Sequence, residues 1–110
     1  MPGLDGLMKM RELMDSLRSN PPVEIADCPV KIRRDYQPGI ETDVQTGLES
    51  AIELSGSNVL RYEMEDGTVA IVRPSGTEPK VKVYLMTSGE TQAQCMDKIN
   101  RYSIWAQSLA

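Results

Sequence analysis

The chain predicts an α+β fold, a four-stranded antiparallel sheet covered by helices, and three observations predict it. The two terminal stretches carry apolar residues at helical spacing. Between them lie short runs of β-rich residues that alternate in character. The last three of these runs follow one another as a meander, the order that places helices on one face of an antiparallel sheet.

The first helix is predicted over Leu4 to Leu17, where Leu7, Met10, Met14 and Leu17 recur at spacings of three and four. Asn20-Pro21-Pro22 ends it. The stripe reads as a core-facing surface with Met as filler; a connector role would leave part of it without a partner. Val30 to Tyr36 reads as the first strand, closed by Gln37-Pro38-Gly39. Its Arg33-Arg34 pair is either a solvated edge or a second anion contact. Thr46 to Leu54 is expected as a short helix with Leu48, Ala51 and Ile52 inward, and Ser55-Gly56-Ser57 as a loop. Asn58 to Met64 is the second strand. Asp66-Gly67 is expected to form a type I′ turn into the third strand, Val69 to Val72. Lys80 to Met86 is the fourth, with Val81, Val83 and Leu85 on one side and Lys80, Lys82 and Tyr84 on the other. Thr87 and Glu90 have capping-box spacing. The last helix follows with a stripe of Ala93, Met96, Ile99, Ser103, Ala106 and Leu109, and Trp105 lies off it.

Composition bounds the function. A chain of 110 residues with 40% hydrophobic content suits one domain with a modest core. Four Tyr, one Trp and no Phe make that core largely aliphatic. The net charge of −4 argues against nucleic acid, whose backbone demands a basic face. The absence of histidine removes imidazole metal sites and Ser/His or Cys/His nucleophile pairs. Glu41, Asp43, Glu49 and Glu53 read as a solvated face, so no metal site is expected. Cys28 and Cys95 lack CxxC spacing, no signal peptide is in view and no apolar run reaches membrane-spanning length. Reduced thiols and a cytoplasmic location are expected. No internal repeat or low-complexity tract is present.

One stretch concentrates donors. Arg73-Pro74-Ser75-Gly76-Thr77 offers a guanidinium fork, two hydroxyls and backbone N–H groups. Pro74 and Pro79 are expected to break strand pairing between them. Gly76 is expected to supply a conformation that residues with a Cβ avoid. An anion with several oxygens, such as a phosphate monoester, satisfies such a set together. The bland alternative is a long hairpin turn with a solvated arginine.

The run Arg73-Pro74-Ser75-Gly76-Thr77-Glu78-Pro79-Lys80 resembles the phosphate-binding loop in the last domain of the α-D-phosphohexomutases, the phosphoglucomutase/phosphomannomutase family. The resemblance extends from about Asn58 to the C-terminus and more loosely back to Asp35-Tyr36. It implies a TATA-binding-protein-like fold. It also implies a parent enzyme, an isomerase that interconverts hexose 1-phosphate and hexose 6-phosphate by intramolecular phosphoryl transfer through a phosphoserine, with Mg2+ at the transferring phosphate. Carried over by position, the substrate-phosphate ligands are Arg73, Ser75, Gly76 and Thr77. Lys80 and Lys82 remain open between added attraction and ordinary solvated strand residues, and Glu78 between shaping the loop and pairing with a lysine.

The family's Ser-His-Asn-Pro serine loop, Asp-Gly-Asp metal loop and Gly-Glu-x-Ser sugar loop are absent. The chain therefore resembles a final domain alone: residues 1–22 as a connector helix and residues 23–110 as the phosphate-binding domain, not catalytic by itself. Its expected partners are a hexose phosphate and the parent's other domains, with no nucleic acid and no membrane. Lys80 after Glu-Pro points to this branch over phosphoglucosamine mutase. The alternatives are a stand-alone phosphosugar or phosphate-binding module and an RNA-binding sheet using Tyr62 and Tyr84.

Overall fold

The computed structural model describes residues 2–78 and 80–109. Helix α1 (Pro2–Ser19) is followed by strands β1 (Glu24–Ile25), β2 (Cys28–Asp35), β3 (Ile40–Asp43), β4 (Glu49–Ala51), β5 (Leu60–Met64), β6 (Val69–Pro74) and β7 (Val81–Met86), then helix α2 (Gln92–Ser108). The strands form one sheet in the order β4-β3-β2-β5-β6-β7, with β1 on β2. All the pairings are antiparallel. The α+β class is as expected; the sheet has seven strands, not four.

The register divides the sheet into two faces. Leu60 opposes Val72, Tyr62 opposes Ala70, Val72 opposes Val83 and Ala70 opposes Leu85. These residues face the helices, because Val81 and Val83 share a groove with Met10 and Leu13 of α1 and with Ala106 and Leu109 of α2. Leu60, Tyr62, Met64, Ala70 and Val72 are almost fully buried, joined by Met14 of α1 and Tyr102 of α2. Burying a side chain such as Leu60 or Val72 contributes about 1.5–3 kcal/mol. The other face holds Arg34, Arg61, Ile71 and Tyr84 in one row. Tyr62 and Tyr84 thus lie on opposite faces and form no shared stacking platform.

Several elements differ from expectation for local reasons. Thr46 to Leu54 is not a helix but the β3–β4 hairpin. The Asp43 carboxylate accepts the Gln45 and Thr46 amides, and Gly47 at φ +77° turns the chain. Leu48 is 72% exposed, so no inward apolar stripe exists there. This Asx-turn chemistry outcompetes helix formation. Strand β2 is interior, so Arg33-Arg34 is not a solvated edge: Arg34 pairs with Glu41 at 2.7 Å and Arg33 bonds Thr42.

The Asp66-Gly67 turn is not type I′, since only Gly67 has positive φ. Gly67 N–H donates to Met64 O, and Met64 N–H donates to Thr68 O. That is a three-residue loop with glycine at the left-handed position. Positive φ at two successive central residues occurs instead at Ala26 and Asp27, between β1 and β2. The α2 cap is Thr91, whose hydroxyl accepts from Gln94 N–H, and not Thr87, which bonds Thr68. Met96 is 58% exposed; the inward face runs through Cys95, Ile99, Tyr102, Trp105 and Leu109. Trp105 packs edge-on against Tyr62 at 6.3 Å. The predicted α1 stripe is half used, with Met14 and Leu17 buried and Leu7 exposed. Cys28 and Cys95 are free and half-buried. No described helix is long and apolar enough to cross a membrane.

Candidate functional site

The loop after β6 is built from its own polar groups. Pairing continues through Pro74 opposite Val81, and Ser75 N–H donates to Lys80 O at 2.8 Å. The ladder thus persists past Pro74, one step beyond the expected break, and Pro79 lies outside the described residues. Ser75 is 9% exposed. Its hydroxyl accepts from Thr77 N–H at 3.3 Å and from Glu78 N–H at 3.2 Å. A serine oxygen has two lone pairs and one proton. Both lone pairs are taken by the loop, which leaves the proton to donate to a ligand or toward Thr77 Oγ1 at 3.5 Å.

Gly76 does not have positive φ, contrary to the sequence reading. Beyond its two chain neighbours, no atom of the described residues lies within 4 Å of where a Cβ would stand. Its backbone is ordinary and the space above it is open. Thr77 and Arg73 are exposed.

The four residues singled out in the sequence therefore lie together, Arg73 near the end of β6 and the other three in the loop that follows. Ser75 organises it from beneath, while Arg73, Gly76 and Thr77 present its surface. Of the uncertain ones, Lys80 pairs with Glu78 at 3.0 Å. Both side chains are more than half exposed, so the pair contributes about 0–1 kcal/mol. Lys82 stands directly opposite Arg73 across the β6–β7 ladder. Like charges so placed repel. Neither has an ion-pair partner among the described residues.

Helix α1 brings further cations to the same end of the sheet. Lys9 borders a groove with Lys80 and Val81, and Arg18 Nε bonds Asp35 at 3.0 Å at the end of β2. Arg11 and Arg18 were not recognised in the sequence, where α1 showed only its apolar stripe. Their seven-residue spacing puts them on one side of the helix, and it was the available signal.

At the opposite end of β6, Asp66 Oδ1 accepts Thr68 N–H at 2.9 Å and Oδ2 accepts the Tyr102 hydroxyl at 2.9 Å. Lys98 Nζ reaches Asp66 O at 3.2 Å and Ser88 O at 2.8 Å. Burial pushes the Asp66 carboxyl up. The bonds from Thr68 and Tyr102 and the charge of Lys98 outweigh it and hold the group below its ordinary value. Burial, with the neighbouring Cys28 and Asp66, pushes the Tyr102 phenol up. The Asp66, Tyr102 and Lys98 side chains of this network are thus engaged with one another or with the backbone.

The antiparallel α+β domain thus presents an exposed arginine and a hydroxyl-bearing loop at one end of its sheet. The model of the phosphoglucomutase/phosphomannomutase C-terminal domain matches residues 24–101, and the chain belongs to that family. It is 39% identical over 98 residues to a phosphoglucomutase of Staphylococcus aureus strain N315 and 36% identical to one of Staphylococcus epidermidis strain RP62A. In both, the match covers 89% of this chain and 18% of the relative, so the chain spans under a fifth of their length. No solved structure matches.

Proposed function

We propose that the Arg73 to Thr77 loop holds the phosphate of a hexose phosphate, as the substrate-phosphate-binding domain of a phosphoglucomutase/phosphomannomutase. The observation that carries this reading is the unpaired Arg73–Lys82 juxtaposition beside an open loop of hydroxyls. A dianion between the two cations turns their repulsion into attraction. Arg73 supplies the planar fork, Thr77 and Ser75 supply hydroxyl donors, and Gly76 leaves room for close approach. Lys82 contributes charge, whereas Lys80 is held by Glu78.

In this reading the parent is an isomerase that interconverts hexose 1-phosphate and hexose 6-phosphate and works in the cytoplasm; the relatives' name, phosphoglucomutase, supports the isomerase part. The rest of that protein supplies the serine that carries the phosphoryl group, and this domain binds the phosphate that is not reacting. Residues 1–22 serve as the connector from those other domains. The parent's magnesium is assigned to its other domains; among the described residues no group of three or more His, Cys, Asp or Glu side chains is placed to hold a metal ion. The roles proposed for this domain are binding and orientation only.

An amide chemical-shift titration with glucose 6-phosphate tests the reading. The largest changes are expected at Ser75 to Thr77, with affinity on the order of millimolar, since a few charge-assisted bonds must offset the cost of association. Changes concentrated on α1 alone would overturn it.

A further inference from the structure

The sheet end that carries the loop also carries a cleft of about 780 Å³. One wall is α1; the other is the loop before β5, with Asn58, and the end of β6 at Arg73. A cleft of this size accommodates a small molecule, and one orthophosphate on the loop leaves most of it empty.

Its charge is lopsided. Arg11, Arg18 and Arg73 line it against one carboxylate, Asp15, in a chain whose net charge is −4. Arg18 is partly neutralised by Asp35 at 3.0 Å, yet its Nη2 is buried without a hydrogen-bond partner among the described residues. A buried donor left in this way is unfavourable. Arg11 is exposed and, like Arg73, has no ion-pair partner among the described residues. Two arginines without an ion-pair partner among the described residues thus border one concave space, and a guanidinium is shaped to grip a phosphoryl group bidentately.

We propose that this cleft is a second anion subsite adjoining the loop, in which Arg11 acts with Arg73 to take a ligand bearing two phosphoryl groups on a short bridge, of the pyrophosphate type. The proposal rests on the phosphate-loop reading, because Arg73 is shared. Such a ligand competes with a hexose phosphate for Arg73 and so regulates the same site. Asn58 adds an amide donor along the wall.

The test is an amide-shift titration of the whole chain with orthophosphate, pyrophosphate and glucose 6-phosphate in turn. Pyrophosphate is expected to bind roughly tenfold or more tightly than orthophosphate, with added shifts at Arg11 and Asn58, because it gains charge-assisted bonds. In Arg11→Gln the ratio of those two affinities is expected to collapse toward one, with Arg11→Lys intermediate. Spectra unchanged away from the cleft confirm that the variants fold. If orthophosphate moves Ser75 to Thr77 but pyrophosphate gains nothing over it, the cleft proposal is overturned and the loop reading stands. If the gain persists in Arg11→Gln, Arg11 is not the second contact and the proposal fails. If glucose 6-phosphate gains as much as pyrophosphate and keeps the gain in that variant, the cleft reads hydroxyls and the proposal falls. Failure of every probe to move Ser75 to Thr77 sinks the loop reading and the proposal with it.

Discussion

Strand β6 ends in two loops of opposite construction. The Glu65–Thr68 turn before it is tied to distant parts of the chain. Tyr102 bonds Asp66 from 36 positions away, Lys98 bonds its backbone from 32, and Thr68 bonds Thr87 from 19. The Ser75–Lys80 loop after it bonds chiefly to itself, through Ser75 Oγ, the Ser75–Lys80 backbone bond and the exposed Glu78–Lys80 pair. One loop has its polar groups tied to distant parts of the chain, and the other has them tied locally. Loops that bind are generally drawn from such weakly tethered segments.

The largest effect that would break this contrast lies at Asp66. Asp66→Ala removes the acceptor for Thr68 N–H and strands the Tyr102 hydroxyl. A loss of about 2–3 kcal/mol is expected in urea unfolding. Phosphate affinity of the folded protein should be unchanged, and a parallel loss of affinity would show that the two ends are coupled.

The same carboxylate gives a pH signature. Folding lowers its pKa, so the native state stays ionised where the unfolded chain takes up a proton. The stabilisation is complete above the ordinary aspartate value and drains away as pH falls through the lowered native one. Asp66→Asn is expected to flatten this acid limb in denaturation curves measured across that range. An unchanged limb would assign it to other carboxylates.

The two glycines sharpen the comparison. Gly67 sits at φ +87°, where a Cβ costs about 1–2 kcal/mol, so Gly67→Ala should lower the melting temperature by several degrees. Gly76 has neither the strain nor a close neighbour. Gly76→Ala should leave stability within about 0.5 kcal/mol while weakening phosphate binding. Equal thermal effects in the two variants would mean that the loops differ less than their hydrogen bonds suggest.

Arg73→Lys keeps the charge and loses the fork. About a tenfold weaker affinity for phosphate is expected, at an unchanged melting temperature. Wild-type affinity would shift the anchor role toward Lys82.

The smallest effect concerns the core between the two ends. The Tyr62 hydroxyl is buried without a partner among the described residues, and burial pushes its pKa to about 12. Tyr62→Phe should stabilise the fold by about 1 kcal/mol, as an unsatisfied group is removed. It should also blunt the loss of stability as pH rises from the ordinary tyrosine value toward 12. Destabilisation by the change would reveal a partner for that hydroxyl.

What was legible in the sequence followed local rules. Alternation gave β5 and β7, Asn20-Pro21-Pro22 marked the end of α1, and eight contiguous residues marked the loop. The β3–β4 hairpin was missed because Leu48, Ala51 and Ile52 mimic a helical stripe, while the Asp43 turn that prevents it depends on one side chain's choice of partner. Among site residues, Ser75 was legible as a donor but not as the organiser of its loop, because that role appears only when two amides converge on its oxygen.

The sequence by itself determined the α+β class, the family and the position of the donor loop, since these rest on periodicity, turn residues and a contiguous run. Only the tertiary structure decided which charges meet. The juxtaposition of Arg73 with Lys82 follows from strand register, and that of Arg11 and Arg18 with the loop follows from where α1 crosses the sheet. The capture of Lys80 by Glu78 also had to be seen. Side-chain pairing acts over a few ångströms between residues far apart in the chain, and no local pattern encodes that distance.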